Sequence, residues 1–221
     1  GYRMRARLHV GPSGIGFLRE GTHRLCNPAD TGQLLPETNH ALAMVGRQLA
    51  GSNCRSVLHL DLAEDISAET RVINFHLKKP YLSRAVSVWT SECSLSGVTW
   101  SRPGSSKIEV VTGEPNIVDS VATLVPETIS LEGTIGRNVR SFFQANRYLV
   151  PSLVSAVCNY VKVGPVLDLY AGVGLFAVAL ASLGVNEITA VERDIIARKD
   201  LTRNAKSAAS QIQVVGTSVE R

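Results

Sequence analysis

The chain opens with strict alternation of apolar and cationic residues. In YRMRARLHV (2–10) the cationic or ionisable positions are every second residue, Arg3, Arg5, Arg7 and His9. Since successive side chains of a strand point to opposite faces, the pattern predicts a strand with one face toward a core and one cationic face outward. Such a face suits an anion, although many charged strand faces are simply exposed to solvent.

Strand-like alternation continues to about residue 140, interrupted by turn signals. The turn GPSGIG (11–16) predicts a hairpin between the first strand and FLREGTHRL. By contrast, LPETNHALAMVGRQLAG (35–51) has helical spacing, with a proline near its start and a glycine at its end. Further strands are predicted at 56–63, 70–77, 84–90, 97–101, 107–113 and 127–133. This part of the chain is predicted to be α+β, dominated by antiparallel sheet.

After Gly136 the pattern becomes that of an α/β domain. A helix is predicted over most of 142–164. Beyond it, apolar strands alternate with helices, the strands near 166–170, 187–191 and 212–215 and the helices near 174–183 and 194–208. This order is typical of a parallel sheet with crossover helices. We therefore predict two domains, 1–140 and 141–221.

Composition narrows the class of protein. The 221 residues are 44% hydrophobic and carry a formal net charge of +4, which weakly favours a polyanionic partner. The four cysteines form no Cys-x-x-Cys pair, so neither a zinc site nor a disulfide framework is indicated, and we expect reduced thiols in a cytoplasmic protein. No segment has the pattern of a membrane span or a signal peptide. Nothing in the sequence implies a membrane or an obligate protein partner.

A glycine-rich turn follows the first strand of the second domain. In VLDLYAGVG (166–174), Gly172 and Gly174 permit close approach of a ligand to the backbone and to the N-terminus of the next helix. Glu192 ends the following strand, where an acidic residue binds ribose hydroxyls in doubly wound folds. Ala177 replaces the third glycine of a dinucleotide fingerprint, and Asp168 suits the ammonium of a methionine moiety better than a pyrophosphate. These features favour S-adenosylmethionine over NAD as the ligand. The alternative is that the turn binds no ligand and only connects the strand to the helix.

These segments together resemble one enzyme family. YRMRARLHV, GFLREGTH, SFFQANRYLVPSLVSAV, VLDLYAGVGLFAVALA and AVERD occur in the order seen in S-adenosylmethionine-dependent RNA (uracil-5-)methyltransferases. Those enzymes form 5-methyluridine in ribosomal and transfer RNA. The resemblance implies an antiparallel-sheet-rich central RNA-binding domain followed by the first half of a Rossmann-like methyltransferase domain. Residue by residue, the resemblance implies cofactor contacts at Gln144, Tyr170, Gly172, Gly174, Glu192 and Ser218, in addition to Asp168. It also implies RNA contacts at Arg3, Arg5 and Arg7.

Three departures from the family are visible. Thr31 and Gly32 stand where cluster-bearing members have Cys-Pro, so no iron–sulfur cluster is expected. The small β-barrel that often precedes the central domain is also missing. The family's nucleophilic cysteine lies well beyond the glycine loop, and none of the four cysteines here matches it. Cys158, among valines at helical spacing, is interpreted as a buried apolar side chain, and no catalytic residue is assigned.

A physical argument also suggests a fragment. VLDLY is apolar enough to be a central strand buried on both faces, yet two parallel strands follow it, and we expect both on one side. Two alternatives stay open: a methyltransferase acting on another nucleic-acid position, such as an exocyclic nitrogen, and a non-catalytic RNA-binding module. The RNA and the uridine are not specified by the sequence.

Overall fold

The computed structural model describes residues 1–51, 56–78, 89–125, 133–161, 164–208 and 211–219. The chain forms two compact units, Gly1–Ile117 and Val118–Arg221. The boundary predicted at residue 140 therefore falls inside the second unit. The segment before residue 140 includes a strand that contacts a helix near the C-terminus of the chain.

The described residues of the first unit form a sheet of seven strands in the order β3-β2-β1-β4-β5-β6-β7. Its strands are β1 (Arg5–Gly11), β2 (Gly14–Leu18), β3 (Leu25–Cys26), β4 (Val57–Glu64), β5 (Arg71–Leu77), β6 (Gly97–Ser101) and β7 (Glu109–Gly113). The hairpin predicted at 11–16 is confirmed, with Gly11 opposite Gly14. β5 and β6 pair in parallel, whereas the other described pairs of this sheet are antiparallel.

One face of this sheet is covered by α1 (Pro36–Gly51), close to the helix predicted at 35–51. The helix packs its apolar side on the apolar faces of the strands through Leu42, Val45 and Leu49. Leu8 and Leu60, on neighbouring strands, are fully buried in the same core. The alternation in residues 2–10 is therefore confirmed as a core-facing row, with the arginines on the opposite side.

The second unit contains a three-stranded parallel sheet in the order β10-β11-β12. Its strands are β10 (Val166–Leu169), β11 (Ile188–Val191) and β12 (Ile212–Val215), and its helices are α3 (Val150–Tyr160), α4 (Leu175–Ser182) and α5 (Ile195–Lys206). β8 (Asn116–Ser120) pairs with β9 (Thr134–Asn138) in a separate sheet. The strand–helix alternation after residue 164 is confirmed.

Several predicted elements need correction or lie outside the described residues. The helix predicted at 142–164 is α3, which begins only at Val150, because the carbonyl and side-chain oxygens of Asn146 first accept the backbone N–H groups of a turn. Of the strand predicted at 84–90, residues 84–88 are not described, and Trp89 begins a short helix, α2 (Trp89–Glu92). The strand predicted at 127–133 falls almost entirely outside the described residues. β8 and β9 were not predicted.

β10 was expected to be buried on both faces, and this is wrong for the described structure. Leu167 and Leu169, which share one face, are 60% and 43% exposed. The other face carries Val166 and Asp168, which are half-buried. The apolar sequence of β10 therefore predicted the strand itself, but it did not predict which faces of the strand are covered.

Candidate functional site

The turn between β10 and α4 brings backbone N–H groups to the carboxyl end of the sheet. Gly172 and Gly174 have φ of 57° and 92°, a region that favours glycine. A Cβ on Gly174 would lie 2.6 Å from the Leu201 side chain, so this glycine is required for packing. A Cβ on Gly172 would meet only the carbonyl oxygen of Phe142, at 3.9 Å. Gly172 therefore leaves open space where a ligand can approach the backbone.

Glu192 connects this turn to the end of β11. Its Oε2 accepts the N–H of Gly172 at 2.8 Å, and its Oε1 accepts the N–H of Asp194 at 2.6 Å. Each carboxylate oxygen has two acceptor positions, so both oxygens retain one for a further donor such as a ribose hydroxyl. Glu192, which is predicted from the sequence to bind the ribose, therefore also holds the glycine turn in place.

Asp168 is the perturbed carboxyl group of this region. Burial raises its pKa to about 6, opposed by a hydrogen bond from the N–H of Ala177 and reinforced by the charge of Glu192. Its Oδ2 is buried and has no hydrogen-bond partner among the described residues. An unpartnered buried carboxylate oxygen has the chemistry to accept a cationic donor such as an ammonium group.

A cavity of about 490 Å³ lies beside the end of β11. Three residues predicted from the sequence line it, Tyr170, Glu192 and Ser218. The other lining residues were not predicted from the sequence: Val191, Arg193, Asp194, Ile195, Thr217 and Val219. Val191 ends β11 and the others follow β11 or β12, so the rule that ligands bind at the carboxyl ends of parallel strands points to the same region.

Tyr170 has an unusual backbone at this cavity. Its φ is 60°, in the left-handed region, and its side chain is 71% exposed. For a residue other than glycine this conformation costs about 1–2 kcal/mol. Tyr170 thus lines the cavity as an exposed residue and does not pack into the core.

The FFQAN segment (142–146) approaches the same loop. Phe143 is buried, and the guanidinium carbon of Arg137 lies 4.0 Å from its ring centroid. Phe142 is 63% exposed, and its carbonyl oxygen is the neighbour of Gly172 described above. Gln144, predicted to contact a cofactor, is half-buried in this segment and does not line the 490 Å³ cavity.

The arginine face of β1 differs from a plain cationic surface. Arg7 donates to Asp61 on β4 through Nε at 2.8 Å, and His76 on β5 lies 2.7 Å from the other Asp61 oxygen. These two hydrogen bonds hold the pKa of Asp61 well below its usual range in spite of burial. One predicted RNA-contacting arginine is therefore already paired with a carboxylate.

The remaining groups of this face are partly buried. Burial lowers the pKa of Arg5, with the charge of Asp61 opposing that effect. Arg3 is half-buried and lies with its guanidinium carbon 5.9 Å from the Tyr2 ring centroid. His59 stacks on His76 with 4.1 Å between ring centroids, and burial together with the charges of His76 and Arg7 lowers the pKa of His59 to about 4. The imidazole of His59 is therefore neutral at physiological pH.

Two of the described cysteines, Cys93 and Cys158, do not have the environment of a nucleophile. Burial raises the pKa of both the Cys93 and the Cys158 thiols. Cys158 is buried on α3 near Val154, as predicted. Among the residues that the structure describes, no group of three or more His, Cys, Asp or Glu side chains is arranged to hold a metal ion. No described helix is both long and apolar enough to cross a membrane.

Comparison with known sequences relates the whole chain to RNA methyltransferases. It is 28% identical to the 23S rRNA (uracil(1939)-C(5))-methyltransferase RlmD of Halomonas elongata, over all of this chain and 47% of that protein. It is 42% identical over 69 residues to the 23S rRNA (uracil(747)-C(5))-methyltransferase of Pyrococcus abyssi, covering 31% of this chain and 16% of that protein. The chain thus spans about half the length of the first relative. No family model matches it.

A solved structure shares the fold. The Pyrococcus abyssi tRNA (uracil-54, C5)-methyltransferase, in complex with S-adenosyl-L-homocysteine, superimposes with a TM-score of 0.76 at 21% identity. The superposition covers 100% of this chain and 56% of that one. The mixed α/β, sheet-rich architecture is therefore that of a methyltransferase fold. The resemblance to RNA uracil-5-methyltransferases predicted from the sequence motifs is confirmed by these relatives.

Proposed function

We propose that the protein is an S-adenosylmethionine-dependent RNA methyltransferase that methylates C5 of a uridine in ribosomal or transfer RNA. The observation that carries the proposal is the glycine turn joined to Glu192 by the 2.8 Å hydrogen bond from Gly172, beside a 490 Å³ cavity. The relatives named above act on C5 of uracil in RNA, which favours this activity over methylation of an exocyclic nitrogen. We place the activity in the cytoplasm.

Residues that line the cavity, together with residues of β10 and the glycine turn that do not line it, are proposed to bind S-adenosylmethionine. Glu192 has acceptor positions left for ribose hydroxyls, and Ser218 and Tyr170 line the same cavity. The buried Oδ2 of Asp168, unpartnered among the described residues, suits the ammonium group of the methionine moiety. Gly172 and Gly174 supply backbone without a side chain in the way, and Gln144 is proposed as a further contact from the FFQAN segment. When bound, the cofactor supplies an electrophilic methyl group.

RNA is proposed to contact the first part of the chain, residues 1–140. Arg5 and Arg7 lie on the polar side of β1 and Arg3 just before it, and basic side chains bind phosphates without reading sequence. The pairing of Arg7 with Asp61 reduces the net charge of this surface but fixes the orientation of the Arg7 guanidinium. Residues 141–221 are proposed to bind the cofactor.

No residue of this chain is assigned as the nucleophile. Addition of a thiolate to C6 of uracil makes C5 nucleophilic, and a thiol performs this best when its pKa is lowered. The raised pKa values of Cys93 and Cys158 argue against both of them. The contribution proposed for this chain is to bind and orient the two substrates.

Isothermal titration calorimetry with S-adenosylhomocysteine tests the cofactor site directly. We expect the wild-type chain to bind and Glu192→Gln to bind at least about tenfold more weakly, because charge-assisted hydrogen bonds to ribose are lost. A matched control is Glu187→Gln, which removes a carboxylate just before β11 and outside the cavity. A folded wild-type chain that shows no binding contradicts the proposal.

The reaction is tested on RNA from cells that lack the gene. Nucleoside mass spectrometry is expected to show a loss of 5-methyluridine that the full-length gene restores. Unchanged 5-methyluridine together with loss of an N-methylated nucleoside would favour the exocyclic-nitrogen reaction instead. No change in any methylated nucleoside would favour a non-catalytic RNA-binding module.

A further inference from the structure

Helix α5 carries two buried polar side chains that the proposed function does not use. Asp200 and Asn204 lie one turn apart and are each 3% exposed. Buried polar groups are costly unless they are hydrogen-bonded, so their partners indicate what they do. Those partners lie in the glycine turn, in the stretch from Gly136 to Ser141, and on α5 itself.

Asn204 joins β9 to the glycine turn. Its Oδ1 accepts the N–H of Gly136 at 2.9 Å, and its Nδ2 donates to the carbonyl oxygen of Gly136 at 2.8 Å. The same Nδ2 donates to the carbonyl oxygen of Val173, between the two loop glycines, at 2.8 Å. One amide thus pairs with both backbone groups of a strand residue and with the loop, using both of its N–H donors.

Asp200 holds the stretch that leads from β9 into FFQAN. Its Oδ2 accepts the N–H of Asn138 at 2.7 Å and the hydroxyl of Ser141 at 2.6 Å. Its other oxygen pairs with Arg203 one turn further along the helix. Ser141 directly precedes Phe142, whose carbonyl oxygen faces Gly172. The carboxylate therefore fixes the backbone from which Phe142 and Gln144 project.

A second anchor lies at the far side of the same stretch. Arg137 on β9 is fully buried, pairs with Asp119 on β8 and packs against the Phe143 ring. The segment 136–143 is thus fixed between this ion pair and α5. Its distance from the glycine turn is set by α5, because Asn204 bonds to both.

We propose that Asp200 and Asn204 are positioning residues that hold the FFQAN segment and the glycine turn at the separation needed to bind the cofactor. The inference rests on the proposed function, since it takes the turn as the cofactor site. It assigns a role to two residues that do not contact the cavity themselves. The expected defect of their variants is weaker cofactor binding beyond any loss of stability.

Asn204→Asp is the sharpest variant. It preserves shape and the acceptor for Gly136 but replaces both N–H donors by a carboxylate oxygen that faces two carbonyl oxygens. We expect affinity for S-adenosylhomocysteine, measured by calorimetry, to fall by about tenfold or more, as two lost hydrogen bonds imply. Binding is measured well below the melting temperature of each variant, which is determined by circular dichroism.

A stability-matched control separates positioning from general destabilisation. Val154→Ala trims a fully buried side chain of α3, outside the network and the cavity, and is expected to lower the melting temperature. We expect this variant to keep wild-type affinity. Equal losses of affinity in Val154→Ala and Asn204→Asp at equal stability would overturn the proposal.

Asp200 offers a conservative rescue. Asp200→Asn retains an oxygen that accepts from Asn138 and Ser141, whereas Asp200→Ala retains none. We expect Asp200→Asn to bind substantially better than Asp200→Ala, a difference that a role for the charge alone would not produce. Wild-type affinity in folded Asp200→Ala and Asn204→Asp would refute the positioning role while leaving the cofactor site intact. Failure of the wild-type chain to bind refutes the proposed function instead.

Discussion

At the scale of single residues, the buried carboxyl of Asp168 has the most informative environment. Its pKa is about 6, against an ordinary value of 3.8, because burial disfavours the ionised form. A raised acid pKa means that ionisation costs folding free energy, so this group destabilises the fold as pH rises from about 4 to about 6. A cationic ligand beside Asp168 would reverse that preference and favour the ionised carboxylate.

The resulting prediction concerns the pH dependence of cofactor binding. Affinity for S-adenosylhomocysteine, whose amino group is cationic throughout, is expected to fall as pH falls through about 6, when Asp168 becomes protonated. Calorimetry between about pH 5 and 8 measures this. Asp168→Asn should bind weakly and without that pH dependence, while its melting temperature at neutral pH stays equal or rises. An Asn variant with the wild-type pH profile would exclude Asp168 as the ammonium partner.

The two loop glycines are expected to fail in different ways when replaced by alanine. Gly174→Ala places a methyl group 2.6 Å from Leu201 at a φ of 92°, so we expect a loss of stability of about 2–3 kcal/mol. Gly172→Ala meets no close atom and should cost only about 1 kcal/mol of backbone strain. It should nevertheless weaken cofactor binding, because its methyl group occupies the open approach to the loop. Urea denaturation measures the loss of stability and calorimetry measures the loss of cofactor binding. Normal binding by Gly172→Ala would contradict the proposal that the cofactor occupies the space next to Gly172.

The neighbourhood of Gly172 and Glu192 was predictable because a strand, a glycine turn and the end of the next strand follow one another in a fixed order. The pairing of Asp61 with Arg7 was not predicted, since those residues are 54 positions apart and meet only through the register of β1 with β4. For the same reason the roles of Asp200 and Asn204 were not visible. The cofactor and RNA contacts of the named side chains stay predictions.

At the scale of secondary structure, β1 shows how an outward-facing row is modified by its neighbours. Alternation correctly predicted which residues of β1 enter the core, because strand geometry alone sets the period. It did not predict that β4 and β5 contribute a carboxylate and two imidazoles to the other face. The onset of α3 was similarly missed because the side chain of Asn146 caps a turn within an otherwise apolar stretch.

The arginine row predicts a salt-dependent interaction with RNA. Arg5→Ala is expected to weaken binding to unrelated RNA sequences to a similar extent and to lower the slope of log Kd against log salt by about 1. Fluorescence anisotropy at several salt concentrations provides the measurement. Arg47→Ala is the matched control, since it removes an exposed cation from α1, on the opposite face of the same sheet. Identical slopes for the two variants would remove the basis for an RNA surface on β1.

At the scale of the whole molecule, each of the two units has its own sheet and its own core. The proposed cofactor residues all lie within Val118–Arg221, and the proposed RNA-contacting arginines all lie within Gly1–Ile117. The fold matches a methyltransferase over the full chain at only 21% identity. Sequence patterns predicted two domains with a boundary at residue 140, whereas the two units divide after Ile117.

This separation predicts how the molecule responds to its ligands. S-adenosylhomocysteine at about 100 times its Kd should raise the unfolding free energy of the unit that binds it by about 2.7 kcal/mol. Hydrogen–deuterium exchange with and without the ligand locates the effect, which is expected at the glycine turn and α5. Protection confined to Gly1–Ile117 would place the binding site in the wrong unit.

The left-handed backbone of Tyr170 has an evolutionary consequence. Glycine at this position would remove most of the backbone strain. Selection for thermodynamic stability alone would therefore favour replacing the tyrosine with glycine. Laboratory evolution for heat resistance, carried out without demand for methylation, should therefore accumulate Tyr170→Gly, whereas selection that also requires activity should retain the tyrosine.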